Sequence, residues 1–164
     1  MSAPWKPELD AILGARHGGA AEAVISRLRE LDRRHPNVGE IHVQLAWSLA
    51  SAGRHPEALE HYERALALGL APHEHAGALV GLGCALLELG QPARACETFR
   101  SGRSLFPDQR EFDAFLAVAL RAAGHSDEAA QILLDVLIET SEDRGIAAYQ
   151  RSLRHLSAAQ RRTP

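Results

Sequence analysis

Three glycines set the frame of this chain. Gly53, Gly90 and Gly124 stand 37 and then 34 residues apart, and each precedes a fresh helical pattern. The clearest copy is Ser51–Leu68, SAGRHPEALEHYERALAL, with Ala58, Tyr62 and Ala65 along one face. Variants return at Glu88–Pro107 and Arg121–Ile138, and counting back 34 residues from Gly53 lands on Gly19. A helical unit repeating at this period cannot bury its apolar face alone; neighbouring copies must stack to make a continuous core. The period therefore predicts an all-α solenoid of helix-turn-helix pairs.

Composition agrees. Hydrophobic residues make up 46% of the 164 and charged residues 24%, which suits a folded chain. Aromatics are only 5%, so alanine and leucine must supply much of the packing, as closely spaced helices allow. The net charge of −3 comes from 18 basic and 21 acidic residues well mixed along the chain, which gives little reason to expect a nucleic-acid or anionic-membrane surface. The longest apolar runs, such as Ala78–Leu87, fall well short of the roughly 20 residues a membrane span needs. Prolines and charges interrupt the start, MSAPWKPELDAIL, so no leader pattern forms and a cytoplasmic location is expected.

Taken in order, the pattern predicts pairs at about 8–36, 38–70, 73–107 and 109–140, and a C-terminal helix at about 143–160, all within one domain over 1–164. The first pair has a short first helix ended by Gly18-Gly19, an atypical end repeat that caps the stack. The second pair carries Ile41, Leu45 and Leu49 on helix A and Ala58, Tyr62, Ala65 and Leu66 on helix B. The loop LGLAPHEHA after it is three residues longer than the period allows. In the third pair Leu79, Leu82, Gly83 and Leu86 face Ala95, Phe99 and Gly102. In the fourth, Phe112, Leu116, Ala117 and Leu120 face Ala129, Leu133, Val136 and Leu137, with Ser126 expected as the helix cap. Ile146, Tyr149, Leu153 and Leu156 form a stripe that would cover the last pair's apolar face.

Small residues recur where helices must approach closely: Ala46, Gly83 and Ala117 on helices A, and Ala58, Ala95 and Ala129 on helices B. These, with Leu45, Gly53, Tyr62, Ala65, Leu82, Gly90, Phe99, Pro107, Leu116 and Gly124, resemble the tetratricopeptide repeat family. The middle of the chain, roughly 40–138, is similar to a small bacterial subgroup of unassigned function, in which a lengthened loop follows a motif such as Leu68-Gly69-Leu70. The family's helix-A tryptophan is absent: His42, Leu79 and Asp113 stand in its place. Gly102 replaces an alanine, and Ser141 the closing proline.

The resemblance implies a right-handed superhelix whose concave face, lined by helices A, receives a peptide or partner helix. The corresponding groove residues here are Val43, Gln44, Trp47, Val80, Cys84, Leu87, Phe115, Val118 and Arg121. The Lys/Arg/Asn clamp by which some members grip a terminal carboxylate is missing, since Val43, Trp47, Gly81, Glu111 and Phe115 stand at those places. An apolar groove remains, with Trp47 and Phe115 either open to a partner or packed against neighbouring helices. It is filled by a partner, by a second copy, or by residues 145–160.

Chemistry-bearing motifs are few. Cys84 and Cys96 have neither CxxC nor a histidine at ligand spacing. His73-Glu74-His75 sits in the long loop and lacks the HExxH spacing that puts two imidazoles on one helix face. His55, His61 and His125 fall on exposed faces, with Glu57 and His61 an i,i+4 pair. Glu88 and Glu111 read as rim charges rather than a catalytic couple. Arg144, Arg151, Arg154, His155, Arg161 and Arg162 form one basic patch that could touch nucleic acid or an acidic partner; with no stacking aromatic beyond Tyr149 it reads rather as a solvated helix face. No phosphate loop or nucleophile elbow occurs. The expectation is a non-enzymatic interaction module with no cofactor and no metal, binding a protein or peptide or pairing as a homodimer.

Overall fold

The repeat's turns have one backbone solution, used three times. At Gly53, Gly90 and Gly124 φ is +75°, +68° and +88°. The residue after each glycine sends its N–H back to a carbonyl five residues earlier: Arg54 to Leu49 at 2.9 Å, Gln91 to Leu86 at 2.8 Å, His125 to Leu120 at 2.8 Å. The glycine's own N–H bonds the carbonyl three residues earlier. This pair of bonds closes a helix C-terminus only when the intervening residue is left-handed, which glycine adopts without a Cβ penalty. Gly53→Ala is expected to destabilise the protein by about 1–2 kcal/mol, read as a lower denaturant midpoint with an unchanged slope.

The structure is a computed structural model that describes residues 3–15 and 21–160, the Gln160 side chain excepted. Expectations placed on Gly18-Gly19, Gly19 as a repeat anchor, Arg161, Arg162 and the 161–164 tail lie outside the described residues. The helices are α1 (Lys6–Gly14), α2 (Ala21–Arg34), α3 (Gly39–Ser51), α4 (His55–Leu68), α5 (Pro72–Glu88), α6 (Pro92–Leu105), α7 (Glu111–Ala122), α8 (Ser126–Thr140) and α9 (Arg144–Gln160). No strand occurs among the described residues. Prolines open several of these helices: Pro7, Pro56 and Pro72 lie in first turns, where a missing N–H costs nothing.

The extra residues after α4 do not make a long loop. Helix α4 ends at Leu68 and α5 starts at Pro72, so His73-Glu74-His75 belongs to the first turn of α5. Helix α5 has 17 residues against 13 in α3 and 12 in α7, which absorbs the insertion as about one added turn.

The chain divides into two compact units, Met1–Gln91 and Pro92–Pro164. In the first, α3 is the centre, packed by α2, α4 and α5. From Ile41 to Ala46 every residue is buried, rather than one stripe. Ion pairs join its helices at the surface: Arg34 to Glu8 at 2.5 Å, Arg29 to Glu57 at 2.5 Å, and Lys6 to Glu40. In the second unit α7 lies between α6 and α8, and α9 packs on α8.

Several inward expectations fail in the second unit. Leu133 and Leu137 are 47% and 49% exposed, and Tyr149 and Leu156 are 68% and 60% exposed. The reason is that α9 meets α8 through polar groups. Gln150 Nε2 donates to the Ile138 carbonyl at 2.7 Å, and the Ser157 hydroxyl donates to Asp135 at 3.0 Å and accepts from Gln131. Ser157, not a leucine, is the buried side chain among those described in α9. Ser126 is the first helical residue of α8 and makes no cap; Asp143 caps α9, accepting from the Ile146 N–H at 3.0 Å.

Candidate partner-binding face

In the first unit the helix-A residues form a half-exposed apolar strip. Gly77, Val80, Cys84 and Leu87 follow one another at helical spacing on α5, and all are partly exposed. The Trp47 indole of α3 lies on the first of them: a Cβ at Gly77 would sit 3.1 Å from Trp47 Cζ2. One turn further, Gly81 makes room for Tyr62, whose ring tip would lie 2.4 Å from an added Cβ. The two glycines let aromatic side chains of α3 and α4 lie against the α5 backbone. Trp47 therefore keeps one part of its surface packed and another open.

Two expected groove residues do not belong here. Val43 is fully buried and Gln44 is 8% exposed. Both lie in the stretch of α3 enclosed by α2, α4 and α5, so neither can line an open face. Burial pushes the Cys84 thiol up, with Glu88 adding to the shift, so it stays a neutral, weakly polar wall. Cys96 is buried and its pKa is likewise raised, chiefly by burial; both cysteines are free thiols.

The second unit presents the other expected residues on α7. Val118 is 49% exposed and Arg121 is exposed. Phe115 is half-buried, because one face of its ring stacks on Phe99 at 5.4 Å between centroids. A cavity of about 330 Å³ is lined by Arg103, Arg110, Asp113, Asp135, Glu139 and Arg154 among others. Four of its charges pair with one another: Asp113 meets Arg103 at 2.8 Å and Arg110 at 2.9 Å, and Arg110 also meets Glu139.

The two buried polar residues at the missing-tryptophan position share one arrangement. Asp113 on α7 pairs with Arg103, ten residues back on the preceding helix B. His42 on α3 faces Asp32, also ten residues back, with Nε2 3.3 Å from Oδ1. His42 adds a second contact, its Nδ1 lying 3.0 Å from Nδ1 of His61 on α4. His61 is thus half-buried against His42 rather than on an exposed face, and Glu57 turns to Arg54 and Arg29 instead of His61. Neither Asp32 nor the histidine contact is legible in the sequence. Residues 10 and 19 apart on three helices make no local motif; the one available signal was a polar residue at a buried helix-A position.

Burial lowers the His61 pKa below the usual imidazole range, and His42 lowers it further. Arg29 acts in the same direction, while Asp32 and Glu60 oppose it. A histidine depressed in the folded state stays neutral there while the unfolded chain takes up a proton. Its contribution is complete above the unfolded value of about 6.5 and is lost as pH falls through the folded value. Stability is expected to drop on acidification below about pH 6.5, and His61→Gln to flatten that slope. Urea titrations across this pH range check it.

A family model described as "Tetratrico peptide repeat" matches residues 39–160. The chain belongs to the tetratricopeptide repeat family. The match begins at α3, leaving the first pair outside it. No curated protein matches the chain. Among solved structures, the crystal structure of MamA protein is similar at 19% identity and a TM-score of 0.72, covering 82% of this chain and 72% of that one. The MamA 41-end structure from Desulfovibrio magneticus RS-1 is similar at 18% identity and 0.66, covering 98% of each chain. A mutant O-GlcNAc transferase from Thermobaculum terrenum matches at 21% identity and 0.66, over 87% of this chain but 28% of the enzyme. At these identities the likeness is one of fold. Within the tetratricopeptide frame, His42 and Asp113 are this chain's own polar choices at a helix-A position. No described helix is long and apolar enough to cross a membrane.

Proposed function

We propose that this tetratricopeptide protein is a non-enzymatic interaction module that takes an apolar peptide or amphipathic partner helix on the α3–α5 face of its first unit. One observation carries the reading: Trp47, Val80, Cys84 and Leu87 form a half-exposed apolar strip on two packed helices, without a carboxylate clamp at its centre. An aromatic anchor with leucine and valine beside it suits a ligand that buries side chains rather than a charged terminus. Cys84 is held protonated, which suits a wall and not a nucleophile. Phe115, Val118 and Arg121 offer α7 of the second unit as a further contact surface of the same kind. Loss of binding in Trp47→Ala, with the melting transition unchanged, tests the assignment.

A second reading is favoured by α9. Tyr149 and Leu156, seven residues apart on one helix face, are both strongly exposed. A second copy of the chain could cover them, making the protein self-associating. Mass measured against concentration separates the two: a monomer over the working range sets self-association aside, and a dimer lost in Tyr149→Ser/Leu156→Ser supports it.

A further inference from the structure

We propose that Asp32, His42 and His61 form a binding site for one divalent transition-metal ion of the zinc class. The proposal is independent of the α3–α5 docking face. The three residues come from the end of α2, the first turn of α3 and the middle of α4, so only the packed first unit brings them together. Each offers one donor atom, and those atoms lie within 4.8 Å of one another. Asp32 Oδ1 and His42 Nε2, 3.3 Å apart, already have the separation of two ligands on a tetrahedral ion with bonds of about 2.0–2.2 Å. His61 is only half-buried, so its side chain has room to turn its donor toward the same ion.

Proton bookkeeping supports an ion here. His42 Nε2 faces two acceptors, the Pro36 carbonyl at 3.0 Å and Asp32 Oδ1 at 3.3 Å. One N–H cannot serve both. Asp32 Oδ1 is left buried with no hydrogen-bond partner among the described residues, a costly state for a carboxylate oxygen. On the other side of the ring two imidazole nitrogens meet at 3.0 Å, sharing one proton between two lone pairs. A cation held by Asp32 Oδ1 and His42 Nε2 would satisfy the carboxylate oxygen, and His61, released from its contact with His42 Nδ1, would supply the third donor. The donor set, two neutral imidazoles and one carboxylate, carries a single negative charge and suits zinc, cobalt or nickel better than calcium or magnesium. Arg29, whose charge acts on His61, is paired with Glu57 at 2.5 Å. Water completes the coordination.

The 164-residue chain, stripped with chelator, is titrated with zinc while its melting is followed, and with cobalt while visible absorption is followed. One equivalent of zinc is expected to raise the melting temperature, as any ligand bound only by the folded state must. One equivalent of cobalt is expected to give the intense d–d bands of a low-coordinate site. His61→Ala and Asp32→Asn each lose about tenfold or more in affinity, with unchanged helicity in the metal-free state. His73→Ala/His75→Ala retains binding, and wild-type affinity weakens as pH falls because the imidazoles must be unprotonated. Three outcomes overturn the proposal: a cobalt spectrum that stays that of the hydrated ion, wild-type affinity in His61→Ala, or binding abolished by the His73/His75 variant.

Discussion

Replacing Gly102 by alanine, the residue the tetratricopeptide pattern has at that place, is expected to destabilise the protein by about 1–3 kcal/mol. In most helix interiors the same change stabilises by roughly 0.5–1 kcal/mol, so the sign is the test. A Cβ at Gly102 would lie 2.1 Å from Cε1 and 2.3 Å from Cδ1 of Phe112. That ring is fully buried, and Phe106 stacks near it at 6.0 Å between centroids, so it has little room to withdraw. The departure from alanine is thus the counterpart of a phenylalanine ten residues on. Shrinking the ring should reverse the effect: Gly102→Ala in a Phe112→Leu background should cost much less than in the wild type. A double-mutant cycle by urea denaturation measures the coupling, expected at about 0.5–3 kcal/mol. Additive losses would mean that the ring moves aside freely.

Tyr62→Ala has a larger expected cost, about 3–5 kcal/mol, the range for emptying a buried aromatic site. Tyr62 is 1% exposed, and its tip fills the space that Gly81 leaves open. Removing the ring leaves a cavity between α4 and α5 that backbone cannot close without disturbing the turn at Gly69, where φ is +88°. Tyr62→Phe, which keeps the ring, should cost much less. Equal losses for the two variants would place the contribution in the hydroxyl rather than in packing.

Much of this architecture was legible because it rests on backbone chemistry and small residues. The period of the turn glycines, the proline-led helices and the alanines at close approaches are local and repeat, so they located helices α3 to α8 within a few residues. What escaped depends on neighbours distant in sequence. Helical periodicity gave α3 one buried stripe, but three packed helices bury every residue from Ile41 to Ala46, and Val43 and Gln44 went into the core. The α9 stripe looked inward-facing, yet Ser157, Gln150 and Asp135 decide which side meets α8. The lengthened loop became helix because Pro72 can open one. Asp32, His42 and His61 could not be joined in advance, since no spacing rule links residues on three helices. Trp47, Val80, Cys84 and Leu87 came out partly exposed; what binds them was never in the sequence.

The central claim, that the α3–α5 face of the first unit holds a partner, is tested most directly by quantitative capture from native lysate. Wild type and Trp47→Ala/Leu87→Ala are compared, after both are shown to melt cooperatively at similar temperatures. The account predicts a protein retained by the wild type whose affinity for the double variant falls by about thirtyfold or more, the equivalent of a hot-spot loss of about 2 kcal/mol. Equal retention by the two would contradict it, and would move the interaction off this face.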